Sequence, residues 1–253
     1  MLFWQDVRLR VLSYNIHRAI GVDRRFLPER VASIVGYYNP DVALLQEVDD
    51  GAPRSRELDL GRELAKTLGY EHFAIGHNVT LRKGRYGNAT LSRFPIQRER
   101  NIDLTIGFLK RRGCQHTRIA LRTPAGKTRR LEAFNLHLGL SARERERQVT
   151  LLARSREFAS LPFGTPTIVA GDYNDWRSLL RPFFVDMLGF RSATGGNDER
   201  ERAIATFPSF FPQGALDRVY YRGPLRLAAA RRCRLALSRV ASDHLPVVVD
   251  FEL

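Results

Sequence analysis

Residues 166–174 read PTIVAGDYN, an apolar run that ends at Gly171-Asp172 and is followed closely by Asn174. A short apolar run bounded by proline and glycine predicts a buried strand. In α/β proteins the carboxyl ends of strands are where a rigid scaffold presents polar side chains to a ligand. The stretch therefore predicts a core strand with a functional site at its end.

The same arrangement recurs along the chain. Val7, Leu9 and Val11 alternate with polar neighbours and predict a strand that leads into the first of these polar ends. Polar side chains stand at or next to the ends of five further predicted strands: Asn15 and His17 after the first strand, Glu47 after 41–45, Asn135 and His137 at the end of 131–136, Asp217 at the start of 217–221, and Asp243-His244 before 246–251. We expect these side chains to meet at one site.

Helical spacing of apolar residues, with proline, asparagine and glycine at the boundaries, predicts helices over 28–38, about 57–68 and 142–160. Additional strands are predicted around 71–76, 88–93 and 117–122. Strands and helices are interleaved, but several strands follow one another without a helix between them. This pattern predicts sheets covered by helices in a mixed α/β arrangement, formed as a single domain over residues 1–253.

The composition is that of a folded globular protein: 253 residues, of which 43% are apolar and 27% charged. Intrinsic disorder and fibrous repeats are excluded. The two cysteines, Cys114 and Cys233, are too few for a disulfide scaffold or a four-ligand zinc site, which predicts two buried thiols in a reducing compartment.

The net charge is +14, because 41 lysines and arginines face 27 aspartates and glutamates. A strongly positive surface raises the local concentration of polyanions. Nucleic acid and anionic lipid both satisfy that requirement, and the charge does not choose between them. The sequence predicts a phosphate-rich partner.

The first residues, MLFWQDVRLRV, carry Asp6, Arg8 and Arg10 where a secretion signal would be unbroken and apolar. No run approaches the roughly 20 apolar residues of a membrane span. The sequence therefore predicts a cytoplasmic protein, with at most peripheral contact with an anionic membrane. No stable protein partner is expected, and the predicted state is a monomer.

The residue types at the strand ends indicate the chemistry of the site. Carboxylates, amides and imidazoles without cysteine are typical of a hard cation near a phosphate. Mg²⁺ or Mn²⁺ is therefore the predicted cofactor, in preference to zinc.

Seven short motifs occur in an order that resembles the endonuclease/exonuclease/phosphatase superfamily, which includes DNase I and the exonuclease III-type repair nucleases. Together they span residues 13 to 246. They are Ser13-Tyr14-Asn15-Ile16-His17, Leu45-Gln46-Glu47-Val48, Gly87-Asn88-Ala89-Thr90-Leu91-Ser92-Arg93, Asn135-Leu136-His137-Leu138, Gly171-Asp172-Tyr173-Asn174, Leu216-Asp217-Arg218-Val219-Tyr220 and Ser242-Asp243-His244-Leu245-Pro246.

The resemblance implies a DNase I-like four-layer sandwich, with two mixed β-sheets flanked by helices, and metal-dependent hydrolysis of a phosphoester. It implies that Glu47 is the principal ligand of Mg²⁺ or Mn²⁺, with Asn15 beside it. Asp243 is a further predicted ligand, and it could serve either a first or a second metal ion.

The resemblance also implies the catalytic groups. Asp172 is predicted to orient and deprotonate the attacking water, and Asn174 to hold a phosphate oxygen. His244, oriented by Asp217, is predicted to bind the scissile phosphate, and His137 lies where DNase-like members place a histidine near the leaving group. Such a set supplies an aligned water and neutralised phosphate oxygens.

Four further residues are predicted to bind substrate. His17 stands where the repair nucleases have an aspartate, and the Asn-x-His arrangement is similar to phosphatase-like and tyrosyl-DNA-phosphodiesterase-like members. The stretch from Arg85 to Ala89 resembles a bacterial subgroup of family hydrolases. The predicted substrate-binding residues are His17, Arg85, Asn88 and Asn135.

Three functions follow from these features. The first is a nuclease that hydrolyses DNA phosphodiester bonds with Mg²⁺ or Mn²⁺. The second is a phosphoesterase for phospholipids or inositol phosphates that acts at an anionic membrane. The third is a catalytically silent module that holds nucleic acid, which the full set of expected site residues disfavours.

Aromatic residues near the predicted site bear on the choice of substrate. Phe210 and Phe211 could stack on a base or insert into a lipid surface. Phe207 is predicted to lie in the core, and Trp176 is predicted to pack beneath the loop that follows Asp172.

Overall fold

Twelve strands dominate the structure, a computed structural model that describes residues 8–122, 128–195 and 203–253. Val7, predicted as the start of the first strand, lies outside these residues. The strands of the described residues are β1 (Arg8–Asn15), β2 (Val42–Asp50), β3 (His72–Thr80), β4 (Arg85–Ser92), β5 (Ile96–Asp103), β6 (Gly113–Arg122), β7 (Thr128–His137), β8 (Thr167–Asp172), β9 (Arg191–Ser192), β10 (Asp217–Arg222), β11 (Arg226–Arg232) and β12 (Val247–Glu252).

The strands form two six-stranded sheets, in the orders β11-β12-β1-β2-β4-β3 and β5-β6-β7-β8-β10-β9. In each sheet most neighbours are antiparallel, but the central pairs β1–β2 and β7–β8 are parallel. The second sheet comes from one continuous stretch of chain, 96–222, whereas the first sheet combines strands from both sides of that stretch.

Helices cover the outer faces of both sheets. They are α1 (Pro28–Tyr38), α2 (Leu60–Leu68), α3 (Ala142–Arg154), α4 (Arg156–Ala159) and α5 (Ser238–Ala241), with shorter 3₁₀ turns at His17–Ala19 and Pro53–Ser55 and a π turn at Phe183–Met187. None of the helices in the described parts of the chain combines the length and apolar character needed to cross a bilayer. The predicted four-layer α/β fold is confirmed.

Alternation along the strands explains the layers. In β1, Leu12 and Tyr14 face α1 and α2, while Leu9 and Val11 face the second sheet, because successive side chains of a strand point to opposite faces. On the far side of the second sheet, Phe134 packs against α3 and α4. Cys114 and Cys233 are both buried free thiols, as predicted.

Sequence patterns missed some boundaries for physical reasons. The helix predicted over 142–160 is broken at Ser155, which is extended and caps α4 by accepting a hydrogen bond from the Phe158 amide. The helix predicted from about 57 begins at Leu60, after Asp59 caps it. Strands β5 and β11 were not predicted. Both are edge strands rich in charged side chains, and none of their residues is fully buried, so neither shows the apolar alternation of a core strand.

A buried ion network lies within the second sheet, on β6 and β7. Glu132 is fully buried; its two oxygens lie 2.6 Å from His116 Nε2 and 2.8 Å from Arg118 Nε. Burial by itself raises the pKa of Glu132, but the hydrogen bonds from His116 and Arg118 outweigh it and leave the pKa below its ordinary value. A carboxyl with a lowered pKa in the folded state stabilises the fold above its unfolded pKa, and this contribution is lost as the pH falls through the folded pKa.

Replacing Glu132 with glutamine is therefore expected to lower the free energy of unfolding at pH 7 by about 3–5 kcal/mol. The difference from the wild type should narrow as the pH falls from the ordinary glutamate pKa of about 4.3 towards the lower folded pKa of Glu132, because the stabilising contribution is lost over that interval. Urea unfolding at pH 7 measures the loss of stability, and urea unfolding at about pH 3.5, below the ordinary pKa of glutamate, measures how far the difference narrows. Glu146→Gln on the exposed side of α3 is the matched control, and equal stability losses in the two variants would contradict the prediction.

Candidate active site

The carboxyl ends of the two parallel strand pairs lie together at one edge of the sandwich. Asn15 is the last residue of β1, and the Ile16 amide that follows it donates to Gln46, next to Glu47 on β2. On the other sheet, His137 and Asp172 end β7 and β8 and are direct partners in the ladder. The site is thus shared between the sheets.

Asp172 is the centre of the site. Its side chain is almost fully buried, and its Oδ2 accepts a hydrogen bond of 3.0 Å from Asn15 Nδ2. The same oxygen lies 3.5 Å from His137 Nε2 and 3.6 Å from His244 Nε2. The structure therefore brings together four residues from distant parts of the chain, all of them predicted from the sequence.

The backbone before and after Asp172 is specialised. Gly171 has φ +143°, and a Cβ there would lie 1.9 Å from the Leu136 carbonyl oxygen, so only glycine permits this approach of β7 and β8. Asn174 has φ +50°, and its amide donates to Asp172 Oδ1 at 2.9 Å. Asn174 Nδ2 donates to the Leu138 carbonyl at 3.0 Å. These contacts fix the direction of the Asp172 carboxylate.

A second carboxylate, Asp217, holds His244. The His244 Nδ1 atom lies 2.8 Å from Asp217 Oδ2, an oxygen that also accepts from Thr206 Oγ1 at 2.5 Å. Both side chains are buried. Nδ1 thus carries the proton donated to Asp217, and Nε2 faces Asp172.

Burial and charge set the protonation of these groups in different directions. Burial raises the pKa of Asp172 to about 6, although the charge of His244 opposes the rise. Burial by itself lowers the pKa of His244, but Asp217 and Asp172 outweigh it and raise the pKa to about 10. Burial, together with the charges of Arg112 and His244, keeps the pKa of His137 well below its ordinary value. At neutral pH the site therefore holds a carboxylate, an imidazolium and a neutral imidazole.

Glu47 lies in a distorted part of β2. The pairing with β4 shifts register between Leu45 and Val48, and Glu47 itself has φ +56°. Its Oε2 is buried without a hydrogen-bond partner and lies 3.5 Å from Arg18 Nε, within ion-pair distance. Arg18 belongs to a left-handed turn, with positive φ from His17 to Ala19. Strained backbone of this kind concentrates at functional sites.

The donors around Glu47 suit Mg²⁺ or Mn²⁺. Mg²⁺ keeps several waters and takes one or two carboxylates, with the remaining positions left to substrate phosphate. The unsatisfied Glu47 oxygen is such a carboxylate donor, and Asn15 Oδ1, which accepts from the His17 amide at 3.0 Å, is a second oxygen nearby. Within the ranges that the structure describes, no group of three or more His, Cys, Asp and Glu side chains could hold a metal ion. Asp243 is half-buried, its Oδ1 accepts from Ser242 Oγ at 3.3 Å, and its role as a ligand stays a prediction.

Two predicted substrate-binding residues are corrected by the structure. Asn135 is fully buried between the sheets, where its Nδ2 donates to the carbonyls of Leu45 and Ala89, and its Oδ1 accepts from Gln46. Asn88 is also buried, and its Nδ2 donates to the Asn135 carbonyl at 2.8 Å. Their amide groups form hydrogen bonds that join the two sheets behind the site. We call Gln46, Asn88 and Asn135 the polar bridge.

The other two predicted substrate-binding residues lie at the margin of the site. His17 Nδ1 is 2.9 Å from the Ile20 carbonyl, which leaves Nε2 for other contacts. Arg85 is exposed and donates to Asp50, three residues beyond Glu47 on β2. Their roles stay predictions.

Sequence analysis missed two residues that contact the site, Arg18 beside Glu47 and Thr206 beside Asp217. Arg18 directly follows the first motif, and this position was its only signal among many arginines. Two aromatic predictions also change: Trp176 is 56% exposed, and the half-buried Phe207 ring lies 4.9 Å from the His244 ring. Phe207 therefore borders the site instead of lying in the core.

Comparison with known proteins agrees with this fold. Residues 12–244 match the model of the Endonuclease/Exonuclease/phosphatase family, and the chain belongs to this family. It is 32% identical over 263 aligned positions to the uncharacterized protein YbhP of Escherichia coli (strain K12), with 98% of each chain covered.

Solved structures show the same fold at lower identity. An endonuclease/exonuclease/phosphatase from Beutenbergia cavernae DSM 12333 superposes with a TM-score of 0.78 at 21% identity, covering 97% of this chain and 72% of the other. The mannosyl-6-phosphatase Bt3783 of Bacteroides thetaiotaomicron VPI-5482 has a TM-score of 0.71 at 18% identity, covering 96% and 99%. The chain is thus a member of a superfamily of phosphoester hydrolases with a DNase I-like fold.

Proposed function

We propose that this protein is a divalent-cation-dependent phosphodiesterase that hydrolyses its substrate by direct attack of water. The observation that carries the proposal is the position of Asp172, whose Oδ2 lies within 3.6 Å of both His137 Nε2 and His244 Nε2. This arrangement places a carboxylate base beside two imidazoles at the carboxyl end of β8.

The protonation states support the division of roles. Asp172, with a pKa of about 6, is ionised at neutral pH and is still basic enough to accept a proton from water. His244, with a pKa of about 10, remains charged and can donate from Nε2 to a phosphate oxygen while Asp217 holds Nδ1. Water oxygen bonds to phosphorus, the bond to the leaving oxygen breaks, and Asp172 takes the proton of the water.

The remaining groups complete the site. Asn174 would steady a phosphate oxygen as charge develops, and neutral His137 would donate a hydrogen bond near the leaving oxygen. Glu47 and Asn15 would hold Mg²⁺ or Mn²⁺. When bound, the cation would polarise the phosphate and stabilise the leaving oxygen.

The test uses bis(p-nitrophenyl) phosphate, a soluble phosphodiester, with Mg²⁺, Mn²⁺ or EDTA. We expect hydrolysis with either cation and none with EDTA, and the activity should return when the cation is restored. Equal rates in EDTA and Mg²⁺ would contradict the cation requirement. Binding of a phosphodiester without turnover in any condition would instead support a silent binding module.

Two phosphodiester classes fit the charge of +14. DNA is the substrate predicted from the charge, and nicking of supercoiled plasmid, strongly weakened by added salt, would be the expected result. A lipid phosphodiester is the second candidate, and it is favoured by exposed apolar side chains in the loops around Asp172. Plasmid and phospholipid vesicles tested with the same enzyme preparation compare the two.

A further inference from the structure

Large apolar side chains are exposed in the loops around the candidate active site. They belong to segments that follow β5, β7 and β8 or precede β10. We call them the apolar rim: Phe108, Leu109, Leu140, Trp176, Leu179, Phe210 and Phe211. Exposed apolar clusters of this kind mark interaction surfaces more often than single exposed side chains do.

The first part of the rim is a protruding loop beside His137. The Leu104 amide donates to the Arg112 carbonyl at 2.9 Å and closes a loop in which Phe108 is fully exposed. The loop leads into β6, whose first residues pair with the end of β7, so it stands next to His137. Leu109 follows Phe108 and is half exposed.

The second part lies on the opposite side of the site, beside His244. The loop that begins after Thr206 carries Phe210 and Phe211, each 64% exposed. Its Ser209 amide donates to the Asp243 carbonyl at 2.7 Å, which attaches the loop directly to the residue that precedes His244. The rim therefore approaches the site from two sides.

Two other loops complete the rim. Leu140 follows His137 by three residues and is 75% exposed. Trp176 follows Asn174 by two residues, and its ring lies 5.6 Å from the Phe207 ring that borders His244. Leu179 is exposed on the same loop as Trp176.

Cationic side chains alternate with the rim in the same loops. Lys110 and Arg111 directly follow Leu109, Arg143 follows Leu140 at the start of α3, and Arg177 follows Trp176. All four are exposed, and none forms an ion pair with a carboxylate in the parts of the chain that the structure describes. The Lys110 ammonium lies 5.7 Å from the centre of the Tyr86 ring, and all four exposed cations are accessible to an external anion.

We propose that the catalytic face docks on an anionic phospholipid bilayer. The apolar rim enters the headgroup region, and the four cations contact lipid phosphates. Apolar loop tips flanked by lysine and arginine suit such an interface, where both apolar burial and attraction to anionic lipid contribute. The proposal rests on the proposed function and gives it a substrate class, because docking would bring lipid headgroup phosphodiesters to Asp172.

The apolar rim fits a bilayer better than a nucleic acid. Single strands bind by stacking bases on aromatic faces, which Leu109, Leu140 and Leu179 lack. Duplex DNA is held mainly by contacts between cationic side chains and its phosphates, and apolar side chains make no such contacts. A bilayer accepts aromatic and aliphatic side chains alike.

The test is sedimentation with vesicles of pure phosphatidylcholine or of phosphatidylcholine mixed with phosphatidylglycerol, all in EDTA so that no hydrolysis is needed. The wild type should bind the mixed vesicles, bind the neutral ones weakly, and dissociate with added salt. The double variants F108S/L109S and F210S/F211S should each bind at least tenfold more weakly. Tyr37→Ser removes an equally exposed aromatic near the opposite edge of the sandwich and should bind like the wild type.

Hydrolysis of bis(p-nitrophenyl) phosphate shows whether the variants are folded, because both double variants should retain the wild-type rate. Wild-type binding by both double variants, or no binding by the wild type, would overturn the proposal. So would weakened DNA binding in the variants with vesicle binding unchanged, which would assign the rim to nucleic acid. Failure of the phosphodiesterase proposal would appear separately, as vesicle binding without hydrolysis of any phosphodiester.

Discussion

Replacing Asp172 with asparagine is expected to lower kcat by about 10²–10⁴-fold, the range contributed by a well-placed general base. The amide has the same shape as the carboxylate and can keep the contact with the Asn174 amide, but it cannot take a proton from water. The rate with bis(p-nitrophenyl) phosphate at saturating Mg²⁺ measures the effect, and thermal unfolding shows whether the fold is retained.

Asp175 provides a matched control in the same loop. It is also buried, but its oxygens contact the Leu180 amide and Arg145, away from both histidines. Asp175→Asn should lower the melting temperature more than it lowers kcat. If Asp172→Asn kept more than a tenth of the wild-type kcat, Asp172 could not be the base.

Loss of His244 is expected to lower kcat by about 10²–10³-fold, as removal of one transition-state donor does in other enzymes. Because Asp217 acts through His244, the two substitutions should not be additive. His244→Gln combined with Asp217→Asn should therefore be only slightly slower than His244→Gln alone. The rates of the wild type, the two single variants and the double variant, measured at the same pH, give the coupling between the two residues.

The conservative variant Asp217→Asn distinguishes a role in positioning His244 from a role in folding. Asp217→Asn keeps an acceptor for Thr206 and is expected to affect kcat more than KM, since it leaves the substrate contacts in place. Additive losses in the double variant would show that Asp217 does not position His244, and would leave Asp217 with a structural role only.

The sequence predicted the central residues because each stands in a local motif at the end of a strand. The fold brings Asn15, His137 and His244 within hydrogen-bonding or ion-pair distance of Asp172, although 229 positions separate Asn15 from His244 in the numbering. The order of the motifs resembles that of a known superfamily, and this resemblance implied both the four-layer fold and the meeting of these residues at one site.

Depth along a strand was not predictable. Asn135 and His137 are two residues apart and face the same side of β7, toward the first sheet. His137 reaches the open edge, whereas Asn135 lies one step deeper and bonds to Leu45, Ala89 and Gln46 of the opposite sheet. Only the three-dimensional packing of the two sheets distinguishes a residue at the candidate active site from a member of the polar bridge.

The sequence also did not predict which apolar side chains are exposed in the loops. The segment Phe108-Leu109-Lys110 has no periodicity that separates a surface loop from a buried turn, and Trp176 was predicted to be packed because large aromatics usually are. The hydrogen bond from the Leu104 amide to the Arg112 carbonyl closes a surface loop that carries Phe108 and Leu109. The Trp176 ring packs closely against Gly214 on one side, and the rest of the side chain stays exposed.

The division of the chain between the sheets has a consequence for its synthesis. Strands β5 to β10 come from one continuous stretch, but β1 must wait for β12, with which it pairs from Arg8–Glu252 to Ser13–Val247. His244 lies just before β12, so a growing chain on the ribosome carries Asp172 without its imidazolium partner. Since chains emerge from their amino-terminal side, the candidate active site is assembled only after β12 has emerged.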